Sequence, residues 1–365
     1  MPQISVVVPT LSEAENIREL HARIVRSLAG EDWELIVVDD DSPDGTADVV
    51  RSLAQEDARV RLIHRIGRRG LTSAVIEGAL SSTAPIIAVM DADLQHDAAI
   101  LPDLIREVRS KGLDLAIGSR YIDGGSTGVW RRRRLLMSRL GTVLARGLVP
   151  AGLRDPMSGY FVVRGELLRE SSRKLSGLGY KVLLDLFASA GRPLRYAEVP
   201  YVFGRRSHGE SKLDSLVVWE YLMLLADKRF GRVLPPRLIL FAVVGGSGVV
   251  VHYALLTILY LGNGVRFAIA QAAAATAAMT SNFFLNNFFT YRDRRLHGLG
   301  LLRGLASFYA VCSLGALANI GVAAYAFARR TEWALSAGAG ILVGTLWNYL
   351  ATSRVTWRTG RADGA

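Results

Sequence analysis

Four apolar stretches, about residues 238–261, 267–290, 305–328 and 333–351, constrain this chain more than any other feature. About 20 residues of helix cross the roughly 30 Å of bilayer hydrocarbon. Inside that layer every backbone N–H and C=O must be satisfied within its own segment, so such stretches can only be helices. Half of all residues are hydrophobic and mean hydropathy is +0.24, which excludes a wholly soluble enzyme. An even number of spans returns the C-terminus to the side of the N-terminus. Arg292, Arg294, Arg295 and Arg303 lie between the second and third stretches, and Arg354, Arg358 and Arg361 in the tail. The positive-inside rule puts both groups in the cytoplasm; Arg329 and Arg330 fall outside. The expectation is a multi-pass cell-membrane protein with residues 1–213 and the C-terminus cytoplasmic. Gly245, Gly246 and Gly248 suit close helix packing. Asn282, Asn286, Asn287, Asn319 and Asn348 are polar groups at membrane depth. They serve either helix–helix hydrogen bonds or a path for a lipid-linked phosphate.

The first 213 residues read differently. Met1 to Thr10 leads into a strand without the basic and apolar regions of a signal peptide. Strand patterns at 4–8, 35–38, 60–64, 86–90 and 113–118 alternate with helical ones, as in α/β proteins. Ser12 and Glu15 form a capping-box pattern for the first helix. Residues 214–234 mix Trp219, Tyr221, Leu222 and Leu224 with Glu220, Asp227, Lys228 and Arg229, the pattern of an interfacial amphipathic helix or of a soluble core helix. A single cysteine, Cys312, excludes an internal disulfide and a cysteine metal cluster.

The chemistry concentrates where apolar runs stop. IIAVMDADLQHD passes from an apolar strand into Asp91, Asp93, Gln95 and His96. Were the chain to stay extended, Asp91, Asp93 and Gln95 would share one side. Two carboxylates about 5 Å apart repel by roughly 3 kcal/mol at an effective dielectric of about 20. A cation relieves that repulsion, and oxygen-only ligands suit Mg or Mn better than zinc. A second acidic cluster, Asp39 to Asp41, ends another strand. Ligands of open parallel sheets bind beyond the carboxyl ends of strands. No Gly-x-Gly-x-x-Gly or Walker loop is present, so neither a dinucleotide nor a P-loop site is expected. The remaining fit is a nucleotide-diphosphate sugar, with Asp40 toward base or ribose and the diphosphate at Asp91 and Asp93. The net charge of +11 favours anionic partners, here phosphorylated substrates and the lipid bilayer. Nucleic acid is not expected, for want of interleaved aromatics or a recognised binding fold. Ser158 has no nucleophile-elbow context.

VVVPTLSEAENI, VVDDDSPDGT, LTSAVIEGAL, MDADLQHD, IGSRY, DPMSGYF and FGRRSHGESK, in this order, resemble the polyprenyl-phosphate glycosyltransferases of glycosyltransferase family 2. The similarity is to dolichyl-phosphate mannose synthases and runs through about residue 230. NNFFTYR and WNYLATSRVTW resemble the GtrA-like membrane family over about residues 235–358. The resemblance implies a GT-A (Rossmann-like, mostly parallel) α/β domain at 1–213 and a four-span helical domain at 235–358, with 359–365 a tail. It implies that Pro9, Leu11, Glu13, Val38 and Asp40 line a nucleoside pocket, although Leu11 stands where the family often has Tyr. Asp91, Ala92, Asp93 and Gln95 would hold diphosphate and metal. Arg120, Arg206 and Lys212 would contact donor or acceptor phosphates, and Arg134 and Ser138, beside the run Arg131 to Arg134, the acceptor phosphate. The implied reaction is inverting transfer of mannose from GDP-mannose to a polyprenyl phosphate. The alternatives are UDP-glucose as donor, or a lipid-sugar translocator with a regulatory N-terminal domain. A processive polysaccharide synthase would carry Gln-x-x-Arg-Trp, which is missing here.

Overall fold

The computed structural model describes residues 1–128, 132–177, 179–204, 215–231, 235–291, 294–329 and 332–357. It divides into two compact units, Met1–Arg229 and Phe230–Ala365.

In the first unit β1 (Ile4–Thr10), α1 (Ala14–Ser27), β2 (Trp33–Asp39), α2 (Thr46–Glu56), β3 (Val60–His64), α3 (Leu71–Leu80), β4 (Ile86–Val89), α4 (Leu101–Ser110) and β5 (Leu115–Ser119) alternate. Then follow α5 (Arg132–Ala145), β6 (Phe161–Arg164), α6 (Gly165–Ser171), α7 (Val182–Ser189), β7 (Tyr196–Pro200) and α8 (Ser215–Phe230). The sheet has seven strands in the order β3-β2-β1-β4-β6-β5-β7. Only β6 runs antiparallel, between β4 and β5. β1 and β2 are buried along their whole length, as parallel strands covered on both faces must be. Successive residues split between the faces: Val6, Val8, Leu35 and Val37 meet α1, α2 and α4, whereas Val7, Ile36 and Val38 meet α3. Gly78 in α3 permits that approach, since a Cβ there would lie 2.6 Å from Val7 and 2.8 Å from Val38.

The expected capping box does not form. Ser12 takes φ +59°, and α1 begins without a side-chain cap of its own. The loop after β2 supplies the acceptors instead: Glu13 N donates to Thr46 Oγ1 (3.0 Å) and Ala14 N to Asp44 Oδ2 (3.0 Å).

α8 occupies most of the 214–234 segment. Tyr221 and Leu224 are buried with Ala145, Met157 and Leu184. Near its end Lys228 Nζ pairs with buried Asp185 at 2.7 Å. The compact first unit runs to Arg229.

The second unit contains α9 (Pro236–Leu256), α10 (Phe267–Leu285), α11 (Gly298–Ala328) and α12 (Trp333–Val355). α9 and α10 pack as one pair, α11 and α12 as another. α9 and α10 each end in widened turns, Thr257–Gly262 and Asn286–Thr290. Arg237–Gly262 and Gly298–Ala328 are long and apolar enough to cross a membrane. Val250, Leu261, Leu302, Leu317, Ile341 and Leu342 point outward, an apolar surface of the kind that meets lipid or another protein. The asparagines lie at helix contacts. Cβ atoms built at Gly248, Gly315 and Gly340 would strike Asn282, Asn348 and Asn319 on neighbouring helices. Asn287 Oδ1 accepts from Trp357 Nε1 (3.0 Å) and Leu296 N (2.9 Å). Trp357 stacks on Tyr291, with ring centroids 4.1 Å apart.

Candidate active site

Two acidic clusters and the loop entering β6 meet at one end of the sheet. Reversal of β6 causes this, because the start of an antiparallel strand lies beside the finish of its parallel neighbours.

On the β1–β2 side, Asp39 accepts from Thr10 Oγ1 (3.0 Å) and Ser42 Oγ (2.5 Å). Asp40 is buried, accepting from Arg65 Nη1 at 2.7 Å and Gly70 N at 2.6 Å. Burial pushes its pKa above the ordinary carboxylate value, against the pull of Gly70 and Arg65. Pro9 lies opposite Val38 in the β1–β2 register. Leu11 is half-buried, and Glu13 Oε2 accepts from Asn16 Nδ2 (2.6 Å). The Val38 side chain is fully enclosed beneath α3. An enclosed side chain leaves only backbone atoms to face a ligand. Buried Ala92 is under the same constraint.

β4 stops at Val89, and Leu94 takes φ +62°. The stretch from Asp91 to Gln95 is therefore a turn and not an extended continuation, so a shared side is not set by strand periodicity. Asp93 is 7% exposed, and its Oδ1 accepts from Gln95 N (3.2 Å). Gln95 Nε2 donates to Gly204 O (3.1 Å), and Gly204 N returns a bond to Gln95 O (2.9 Å). His96 Nδ1 accepts from Asp91 N (3.0 Å), and Nε2 lies 3.7 Å from Asp91 Oδ2. The imidazole stacks on Tyr160 at 4.9 Å, with Tyr201 and Phe203 edge-on. Burial drives its pKa down to about 4, so it is a neutral support for the loop. A Cβ at Gly159 would lie 3.3 Å from Asp91 Oδ2, so the loop before β6 closes against this carboxylate.

Arg120 is 8% exposed, and its fork grips Asp155 through Nε (2.7 Å) and Nη2 (2.8 Å). Arg120 N also donates to Asp155 Oδ2 (3.1 Å). Burial would lower the guanidinium pKa, but the hydrogen bonds and charge of Asp155 outweigh it and hold the value above normal. The guanidinium lies 5.5 Å from the centroid of Phe203. Ser138 Oγ, on α5, is 2.9 Å from Tyr121 Oη. Arg134 lies one turn earlier on the same helix, a spacing that shares a face. Its side chain, Arg206 and Lys212 lie outside the described residues. Ser158 Oγ donates to Gly118 O (2.7 Å) and is a buried structural hydroxyl.

Asp91 and Asp93 offer hard oxygen donors, and Gln95 offers Oε1, its amide nitrogen being committed to Gly204. No group of three or more His, Cys, Asp or Glu that could hold a metal occurs among the described residues. Two carboxylates without such a cage fit Mg or Mn, which complete their shells with water and substrate phosphate oxygens.

Arg65, Tyr121 and the rings of Tyr201 and Phe203 beside His96 were not singled out from sequence; Asp155 was, within a loop at 155–161 expected to shape the sugar and acceptor pocket, but not as the partner of Arg120. IGSRY and DPMSGYF contain three of these residues, but no local spacing announces their pairing across 35 residues.

A family model described as "Glycosyl transferase family 2" matches residues 5–171, and one described as "GtrA/DPMS, transmembrane domain" matches 240–357. A Pyrococcus furiosus protein named dolichol-phosphate mannosyltransferase is 33% identical over 359 residues, 98% of this chain and 100% of that one. The Saccharomyces cerevisiae protein of that name is 36% identical over 248 residues, 66% of this chain and 91% of its own. A Mycobacterium tuberculosis glucosyl-3-phosphoglycerate synthase, crystallised with Mn2+, UDP-glucose and phosphoglyceric acid, is 23% identical over 63% of this chain and 79% of its own, with a TM-score of 0.47. Full-length similarity and both domain matches agree with the seven motifs: the chain belongs to the dolichol-phosphate mannosyltransferase family of glycosyltransferases.

Proposed function

We propose that this enzyme transfers mannose from GDP-mannose to a polyprenyl phosphate at the cytoplasmic membrane face, with inversion at the anomeric carbon. The observation that carries the reading is the convergence of Asp40, Asp91, Asp93 and the Arg120–Asp155 pair at one end of the sheet. The names of the curated relatives support mannose and dolichol phosphate as the substrates. Asp40 and the backbone of Val38 take the nucleoside, with Pro9, Leu11 and Glu13 as the pocket rim. Asp91 and Asp93, with Gln95 Oε1, would hold Mg or Mn, which would supply positive charge for the departing diphosphate. Arg120 keeps a fixed positive charge beside that loop. Arg134 and Ser138 on α5 orient the acceptor phosphate, with Arg206 and Lys212 as further phosphate ligands. A phosphate is already anionic near neutral pH, so attack on the anomeric carbon needs no strong general base. Four membrane spans, α9 to α12, anchor the domain, with the catalytic unit and the C-terminus in the cytoplasm.

The test offers labelled GDP-mannose or UDP-glucose to membranes containing the protein, polyprenyl phosphate and Mg or Mn. Label should enter lipid from GDP-mannose and be lost with Asp93→Ala. Transfer from UDP-glucose alone would overturn the donor assignment. Undiminished transfer by Asp93→Ala would overturn the site.

A further inference from the structure

We propose that Arg65 is the positioning residue of the donor-nucleoside site, holding the Asp40 carboxylate ionised and in one orientation for the incoming base or ribose. The proposal rests on the reading of Asp40 as a nucleoside ligand. Arg65 is 3% exposed and lies in the turn between β3 and α3. Its Nη1 donates to Asp40 Oδ1 (2.7 Å) and Gly70 O (3.1 Å), and its Nη2 to Ser73 Oγ (2.6 Å). Ser73 Oγ donates to Gly70 O (2.8 Å), and Gly70 N closes the ring on Asp40 Oδ2 (2.6 Å). Gly70 takes φ +146° and a Cβ there would lie 3.0 Å from Ser73 Oγ, so this turn is built to aim its N–H at the carboxylate. Each carboxylate oxygen accepts about two hydrogen bonds. The ring thus engages both oxygens of Asp40 and leaves each with capacity to accept from a ligand.

The charged surroundings show why the arginine is needed. Asp39 stands next to Asp40 on β2 and disfavours its ionisation. From α3, Glu77 Oε2 lies 3.3 Å from Arg65 Nε, an ion-pair contact not aligned as a hydrogen bond. Arg68 balances Glu77 at 3.0 Å. Without Arg65, Asp40 would face burial and Asp39 with only the Gly70 amide in support, and would take up a proton more readily. A protonated acid loses acceptor capacity toward the N–H and O–H groups of a nucleoside.

The experiment measures GDP and UDP binding by calorimetry, and both substrate KM values, on the full chain in detergent from pH 6 to 8. Arg65→Met should weaken binding of the preferred nucleotide about tenfold or more, the loss of a hydrogen bond to a charged group. KM for the nucleotide sugar should rise while KM for polyprenyl phosphate and kcat hold. The defect should deepen as pH falls, because Asp40 protonates. Asp40→Asn should weaken binding similarly, and the double variant should be no worse than Asp40→Asn alone. Should Arg65→Met not fold, Arg65→Lys and Ser73→Ala carry the test, with smaller losses confined to the nucleotide. A pH-independent defect, additive losses in the double variant, or unchanged nucleotide affinity in Arg65→Lys and Ser73→Ala would overturn the proposal. Unchanged affinity in Asp40→Asn would overturn the underlying assignment of Asp40 instead.

Discussion

The two units bury polar groups by different means. The catalytic unit buries charged pairs: Arg65 with Asp40, Arg120 with Asp155, Lys228 with Asp185. In the membrane unit the polar groups are amides and hydroxyls set against glycine or the backbone of a neighbouring helix, as with Asn282 on Gly248 and Asn348 on Gly315. A buried ion pair costs more to assemble than apolar packing, and far more to leave half-made. An amide seated on glycine carries no net charge and lets two helices approach closely. One unit buries opposite charges in pairs, the other seats neutral amides where helices meet.

That contrast can be broken by substitutions that should register in one unit only. The largest effect is expected from Asp93→Ala, which should cut transfer roughly a thousandfold while membrane insertion is unchanged; residual turnover in membranes measures it. Asp155→Asn removes the carboxylate charge that Arg120 grips and should destabilise the catalytic unit by about 3 kcal/mol. Denaturant unfolding followed by tryptophan fluorescence would detect this, and a loss under 1 kcal/mol would mean that Arg120 has found another counter-charge. Gly315→Leu drives a side chain into Asn348 and should cost about 1–3 kcal/mol of helix packing. It would appear as a lower unfolding temperature in detergent with nucleotide affinity intact; a matching fall in nucleotide affinity would show the units are energetically coupled. Trp357→Phe removes the Nε1 bond to Asn287 and should cost about 1 kcal/mol, the smallest change, read from the same melt.

Much of the frame was legible because its causes are local. Continuous apolar runs announced β1 to β5, and the acidic residues after β2 and β4 did mark the end of the sheet where the loops converge. Partnerships across sequence were not legible. Arg65 sits in an arginine-rich turn that reads as solvated, and only the fold brings it to a carboxylate 25 residues earlier. Whether the chain stays extended from Asp91 to Gln95 was left open, because one residue at positive φ, Leu94, leaves no periodic trace. α8 was ambiguous for a related reason. Its charged residues suit a wet face, but Lys228 turns inward to an aspartate that a hydropathy pattern cannot reveal.

The backward entry of β6 has one more consequence. Its approach segment, with Asp155 and Gly159, joins the wall near Asp91 from a separate stretch of chain. A residue gained or lost there would change what packs on the Asp91 carboxylate while the strand leading into it kept its register. The approach segment and the strand are thus separately variable parts of one wall.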